Sequence, residues 1–89
     1  MKAIVTVVGK DQVGIIATVC IKLAEYNVNV LDISQTVMQG YFTMMMVVDV
    51  SQCTVPLAQL CADMEDMGKQ KHLSIRVQRE DIFEAMHRI

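Results

Sequence analysis

The chain has 89 residues, of which 53% are hydrophobic, and a net charge of −2, enough for one domain and too little for two. Lys and Arg are scattered without a stripe, and two Phe, two Tyr and no Trp are present, which argues against nucleic-acid binding by charge or base stacking. Three cysteines without a CxxC spacing speak against a disulfide framework and for a reducing, cytoplasmic setting.

The apolar start breaks at Gly9-Lys10-Asp11, too soon for a signal-peptide core. The longest uncharged run, residues 33–48, carries Ser34, Gln35, Thr36, Gln39 and Gly40 and is too polar to span a bilayer. No membrane association is expected. A chain of this size buries only about 60–65% of its unfolded surface, so part of its apolar surface is expected to meet a second copy or another protein.

Ala3 to Val8 is rich in β-branched residues and reads as a first strand. Val13 to Tyr26 follows as a helix with Ile16, Val19, Cys20 and Leu23 as its apolar stripe. Asp11 is its expected N-cap, and Asn27 its stop, since Asn tolerates the left-handed conformation. Asn29 to Met38 is a second strand, with Leu31, Ile33 and Val37 on one face and Ser34, Thr36 and Met38 on the other. Gln39-Gly40 makes a two-residue turn. The third strand, Tyr41 to Val50, is apolar on both faces, which predicts a central strand covered on both sides.

Thr54 is the expected cap of a second helix, with Pro56 near its first turn. Leu57, Leu60, Cys61, Met64 and Met67 form its stripe, and Gly68 is expected to end it. Leu73, Ile75 and Val77 alternate with Ser74, Arg76 and Gln78 as a fourth strand. Glu80 to Ile89 reads as a short terminal helix with Ile82, Phe83, Met86 and Ile89 apolar; at ten residues it must dock to persist.

The order βαββαβ plus a C-terminal helix predicts an α+β, ferredoxin-like fold: a four-stranded antiparallel sheet with helices on one face. A single domain, 1–89, is expected. The other sheet face would carry Thr6, Thr36, Thr43, Met45, Val47 and Arg76. That face, or an edge strand, is where dimerisation is expected.

The candidate functional element is Gly9-Lys10-Asp11-Gln12-Val13-Gly14-Ile15-Ile16. A strand-to-helix turn of this kind gathers free N–H groups and the positive end of a helix dipole at one point, where carboxylates bind readily. No acid, base or nucleophile clusters beside it in the sequence, which points to a sensor rather than an enzyme. The segment also lacks the Lys-Ser/Thr ending of a phosphate-binding P-loop.

That segment, continued through Ala17, together with Leu23-Ala24-Glu25 and Asn27-Val28-Asn29-Val30, resembles ACT domains. The runs Asp32 to Val37, Tyr41 to Met45 and Ile82 to Met86 resemble the free-standing ACT proteins called UPF0237. The resemblance implies a regulatory module without cofactor or metal, binding a small metabolite, foremost an amino acid, between two copies of the domain. It implies that Asp11, Val13, Gly14 and Ile15 contribute from the loop of one copy and Asn29 from the other. An amide such as Asn29 can donate to a carboxylate and accept from an ammonium group, and Asp11 could pair with that ammonium. Gly9 stands where amino-acid-binding relatives carry a polar side chain, and Asp11 where they carry an amide. A carboxylate at position 11 disfavours a dicarboxylic ligand. The alternative is a ligand-independent interaction module acting on a metabolic protein partner.

The remaining chemistry-bearing residues have simpler readings. Met44-Met45-Met46 alternates between strand faces and reads as packing. His72 and His87 have no ligand-like partners nearby. Cys20 and Cys61 lie on helix stripes and are expected to be inert; Cys53, in a loop, is the one candidate reactive thiol.

Overall fold

The six elements follow one another as strand β1 (Lys2–Lys10), helix α1 (Ile15–Glu25), strands β2 (Asn29–Met38) and β3 (Tyr41–Asp49), helix α2 (Leu57–Gln70) and strand β4 (Leu73–Arg79). They are seen in a computed structural model, described for residues 1–82. A helical turn begins at residues 80–82; the rest of the predicted terminal helix, from Phe83, lies outside the described residues. The strands form one sheet in the order β2-β3-β1-β4, antiparallel throughout. This is the predicted ferredoxin-like arrangement.

Register decides which side chains are buried. Val5 pairs with Met46 and Val77, and Val7 with Met44 and Ile75. These positions face the helices and are almost fully enclosed. Ile15, Val19 and Leu23 of α1 and Leu60 and Met64 of α2 close the core from above. The stripe of α1 therefore starts at Ile15, while Ile16 is exposed. On the opposite face, Ser34, Met45, Thr6 and Arg76 fall in one cross-strand row, and Thr36 pairs with Thr43. The six residues assigned to that face are there. The expectation that β3 is covered on both sides fails: it is central, but Tyr41 and Met45 on its outer face are exposed.

Strand β2 contains a bulge. Val30 pairs with Val48 and Asp32 with Val47, leaving Leu31 as the extra residue. The bulge resolves an apolar pattern that strict alternation would split, because Val30 and Ile33 then both lie on the helix side. Gln39 and Gly40 make the β2–β3 turn with φ of 51° and 83°, the pair of positive values a tight hairpin favours.

Helix ends follow the backbone rather than the expected caps. Helix α1 finishes as foreseen at Asn27 (φ 59°). The Val28 N–H returns to the Leu23 carbonyl at 3.0 Å and the Asn27 N–H to that of Ala24 at 3.0 Å, a Schellman closure with Val28 and Leu23 both in the core. Thr54 does not cap α2. Its amide donates to the Tyr26 carbonyl at 3.0 Å, and Pro56 holds the cap position with φ −59°. Nor does Gly68 end that helix. It lies inside α2, where an added Cβ would stand 2.7 Å from the Leu73 carbonyl oxygen; glycine is there to let helix and strand touch.

Candidate functional site

The loop between β1 and α1 is built from the strand end outward. Lys10 pairs with Tyr41, so the chain leaves β1 beside the Gln39-Gly40 turn. The Asp11 N–H donates to the Gly40 carbonyl at 2.8 Å. One residue on, Gln12 Nε2 donates to the Lys71 carbonyl at 3.1 Å. These two bonds pin the loop to the hairpin on one side and to the α2–β4 turn on the other. Val13 then projects fully into solvent, and Ile15 turns back into the core.

Asp11 is not the helix cap. Residues 12–14 are needed to turn the chain, which leaves Asp11 four positions ahead of Ile15, outside the reach of a capping side chain. Gly14 takes the cap position with φ 83° and no side-chain hydrogen bond. Its carbonyl accepts the first helical bond, from the Thr18 N–H at 2.9 Å. The amides of the first turn thus have no side-chain partner, and the helix dipole ends at an open mouth. Among the described residues the Asp11 carboxylate makes no hydrogen bond or ion pair.

The two flanking glycines have different reasons. Gly14 has open space around a hypothetical Cβ but a backbone that L side chains rarely adopt. Gly9 lies within β1, where a Cβ would come 2.6 Å from Leu73 Cδ2. It admits Leu73 rather than a ligand.

Asn29 begins β2, exposed and paired with Asp49 in the same row as Lys2. The whole of β1 separates that row from the loop, about 25–30 Å along the strands. In one chain, therefore, Asp11, Val13, Gly14 and Ile15 come together and Asn29 does not join them. Beside Asn29, Asp49 Oδ1 accepts from the Ser51 hydroxyl at 2.6 Å and the Ser51 N–H at 2.9 Å. The Ser51 hydroxyl, then its N–H, hold the Asp49 carboxyl below the usual carboxylate value. Sequence reading missed this charge, because only strand pairing places Asp49 next to Asn29.

Elsewhere the polar contacts are structural. The Tyr26 hydroxyl donates to Asp63, which also accepts from Gln59 at 2.8 Å, tying α1 to α2. Cys61 donates its thiol to the Val77 carbonyl at 3.2 Å, and burial raises its pKa, in keeping with an inert thiol. Among the described residues no group of His, Cys, Asp or Glu could hold a metal ion, and no helix is long and apolar enough to cross a membrane.

With this geometry in view, residues 2–78 match the family described as the ACT domain. The chain belongs to the ACT domain family. These are regulatory domains that bind small ligands. The chain is 54% identical over 88 residues to a UPF0237 protein of Bifidobacterium longum, covering 99% of this chain and 98% of that one. It is 51% identical over 89 residues to a UPF0237 protein of Listeria monocytogenes, each chain covered in full. Among solved structures it resembles an ACT domain protein from Streptococcus pneumoniae, with a TM-score of 0.82, 48% identity and 94% of both chains covered. The ACT fold and the likeness to UPF0237 proteins, inferred from the element order and the loop and strand motifs, are those of these relatives.

Proposed function

We propose that this ACT domain senses a small metabolite, an amino acid first among them, at a site shared between two copies. One observation carries the reading. The mouth of α1 has no side-chain cap, is opened by a left-handed Gly14 and is held rigid by the bonds from Asp11 and Gln12. Its amides suit a carboxylate. The partnerless Asp11 carboxylate suits an ammonium group, as does the Asn29–Asp49 end of a second copy. Strand β2 is an edge strand. Two copies paired antiparallel along it would bring the loop end of each against the Asn29 end of the other. Ligand bridging that seam would stabilise the pair, and the output would be conformational.

The test is thermal unfolding against the twenty amino acids and common metabolites, run on wild type and on Asp11→Ala with Asn29→Ala. A ligand-induced rise in Tm that the double variant loses supports the site. An equal rise in both removes it.

A second reading rests on a different observation: Leu31, Ile33 and Val37 of β2 are 47%, 42% and 56% exposed. Such an apolar strip suits an interaction module that works without ligand. Flat melting curves throughout the screen, together with a stable complex between copies, would favour it.

A further inference from the structure

Strand β4 forms the other edge of the sheet. Its pairing with β1 runs from Leu73 to Arg79 in continuous register, without the bulge that interrupts β2. Alternate residues of an edge strand turn their N–H and C=O outward, ready to accept another strand. Beside this edge runs a cleft of about 490 Å³, walled by α2 and lined by Glu65, Lys69, His72, Ser74 and Arg76.

The charges in the cleft are unbalanced. Lys69 and Arg76 are permanent cations, His72 adds a ring N–H and Ser74 a hydroxyl, against the single carboxylate of Glu65. Glu65 stands four residues before Lys69, the spacing at which a helical pair forms readily. Even so, among the described residues neither the Lys69 ammonium nor the Arg76 guanidinium makes an ion pair or hydrogen bond. Arg76 lies on the outer face and Lys69 on the helix beside the opposite face, so the two cations flank the edge from both sides.

We propose that the β4 edge is a docking site for an extended acidic peptide, which adds as a fifth strand beside β4 with a carboxylate opposite Arg76 and another near Lys69. Main-chain hydrogen bonds to β4 supply affinity in such strand addition, and side-chain complementarity supplies selectivity. A second copy of this chain is disfavoured as occupant, because antiparallel β4–β4 pairing would set the same cations near one another. The cleft shares no residue with the loop at the mouth of α1, although the Gln12–Lys71 bond brings the two together beside His72; the proposal does not rest on the metabolite reading.

The experiment uses the whole chain and a capped eight-residue peptide alternating Glu and Thr, with backbone amide shifts and hydrogen exchange recorded by NMR. Binding that perturbs and protects Leu73 to Arg79, and that weakens on the order of tenfold or more in Lys69→Glu with Arg76→Glu, supports the proposal. Both substitutions are at exposed positions, and unchanged amide dispersion in the free variant shows that it folds. A peptide with N-methylated amides on one edge should bind at least as much more weakly, since it cannot extend the sheet. Four results overturn the proposal: no binding, protection on β2 instead, equal binding of the N-methylated peptide, or equal occupancy by free glutamate or inorganic phosphate.

Discussion

Asp11 donates its backbone N–H to the carbonyl of Gly40 at 2.8 Å, so the loop that opens α1 and the turn joining β2 to β3 form one corner of the molecule. A capping role for Asp11 is thereby replaced by an anchoring one, carried by its backbone. Its side chain stays free for other chemistry.

The left-handed Gly14 is what holds this corner open. A Cβ there has room, but φ of 83° disfavours any L side chain, by about 1–2 kcal/mol. Gly14→Ala should therefore lower the unfolding free energy by about that amount, and Gly14→Asn by less. Urea unfolding measures both. No loss for Ala would mean that the loop rearranges at no cost.

Packing makes the opposite demand at Gly68. Alanine is the better helix former by about 1 kcal/mol. Its Cβ, however, would press to 2.7 Å on the Leu73 carbonyl oxygen and 3.0 Å on Ile75 Cγ1. A backbone atom cannot swing aside as a side chain does, and overpacking costs about 1–3 kcal/mol. The clash should win, so Gly68→Ala lowers Tm. For comparison, Leu60→Ala empties a fully enclosed position and should cost about 2–5 kcal/mol. A rise in Tm for Gly68→Ala would show that α2 can shift off β4.

What the sequence disclosed follows the range of the interactions involved. Strand β2 and the left-handed Asn27 were legible because they rest on local chemistry: β-branched runs, turn residues and the tolerance of Asn for positive φ. The outer-face set of Thr6, Thr36, Thr43, Met45, Val47 and Arg76 came from alternation alone. Gly68 misled, because a glycine that ends a helix and one that admits a strand look alike until the strand is in place. Asp11 and Thr54 misled likewise, since their amides are taken by Gly40 and Tyr26, partners far along the chain. Of the candidate site, the loop residues were legible as a group. The anchoring Gln12–Lys71 bond and the Asp49 beside Asn29 were not, being products of tertiary pairing.

Two half-buried groups should titrate away from their ordinary values, in opposite senses. The Ser51 hydroxyl holds the Asp49 carboxyl below 3.8, so its contribution to stability is present above that pH and is lost as pH falls through the lowered value. Carboxyl-carbon NMR should find the midpoint below 3.8, and Ser51→Ala should bring it back up. Tyr26 runs the other way. The hydrogen bond to Asp63 raises its pKa above 10.0, so stability is full below that pH and lost as pH rises through the raised value. An ultraviolet titration of Asp63→Asn should show Tyr26 ionising earlier than in wild type; identical curves would remove Asp63 as the cause.

The apolar strip on β2 gives the most direct test of assembly. Ile33 and Val37 lie on the helix side of the sheet, paired with the buried Met46 and Phe42, yet they stay exposed at the sheet edge. Burying such side chains is worth about 1.5–3 kcal/mol each. Two charges in their place would oppose any association through that edge. Ile33→Lys with Val37→Lys should therefore shift a pair of copies to single molecules in sedimentation equilibrium, while the melting of the isolated domain changes little. Met45→Lys, on the outer face, serves as the control and should leave association intact. If Met45→Lys separates the copies and the β2 variant does not, the seam lies on the open sheet face. The loop of one copy would then not meet Asn29 of the other.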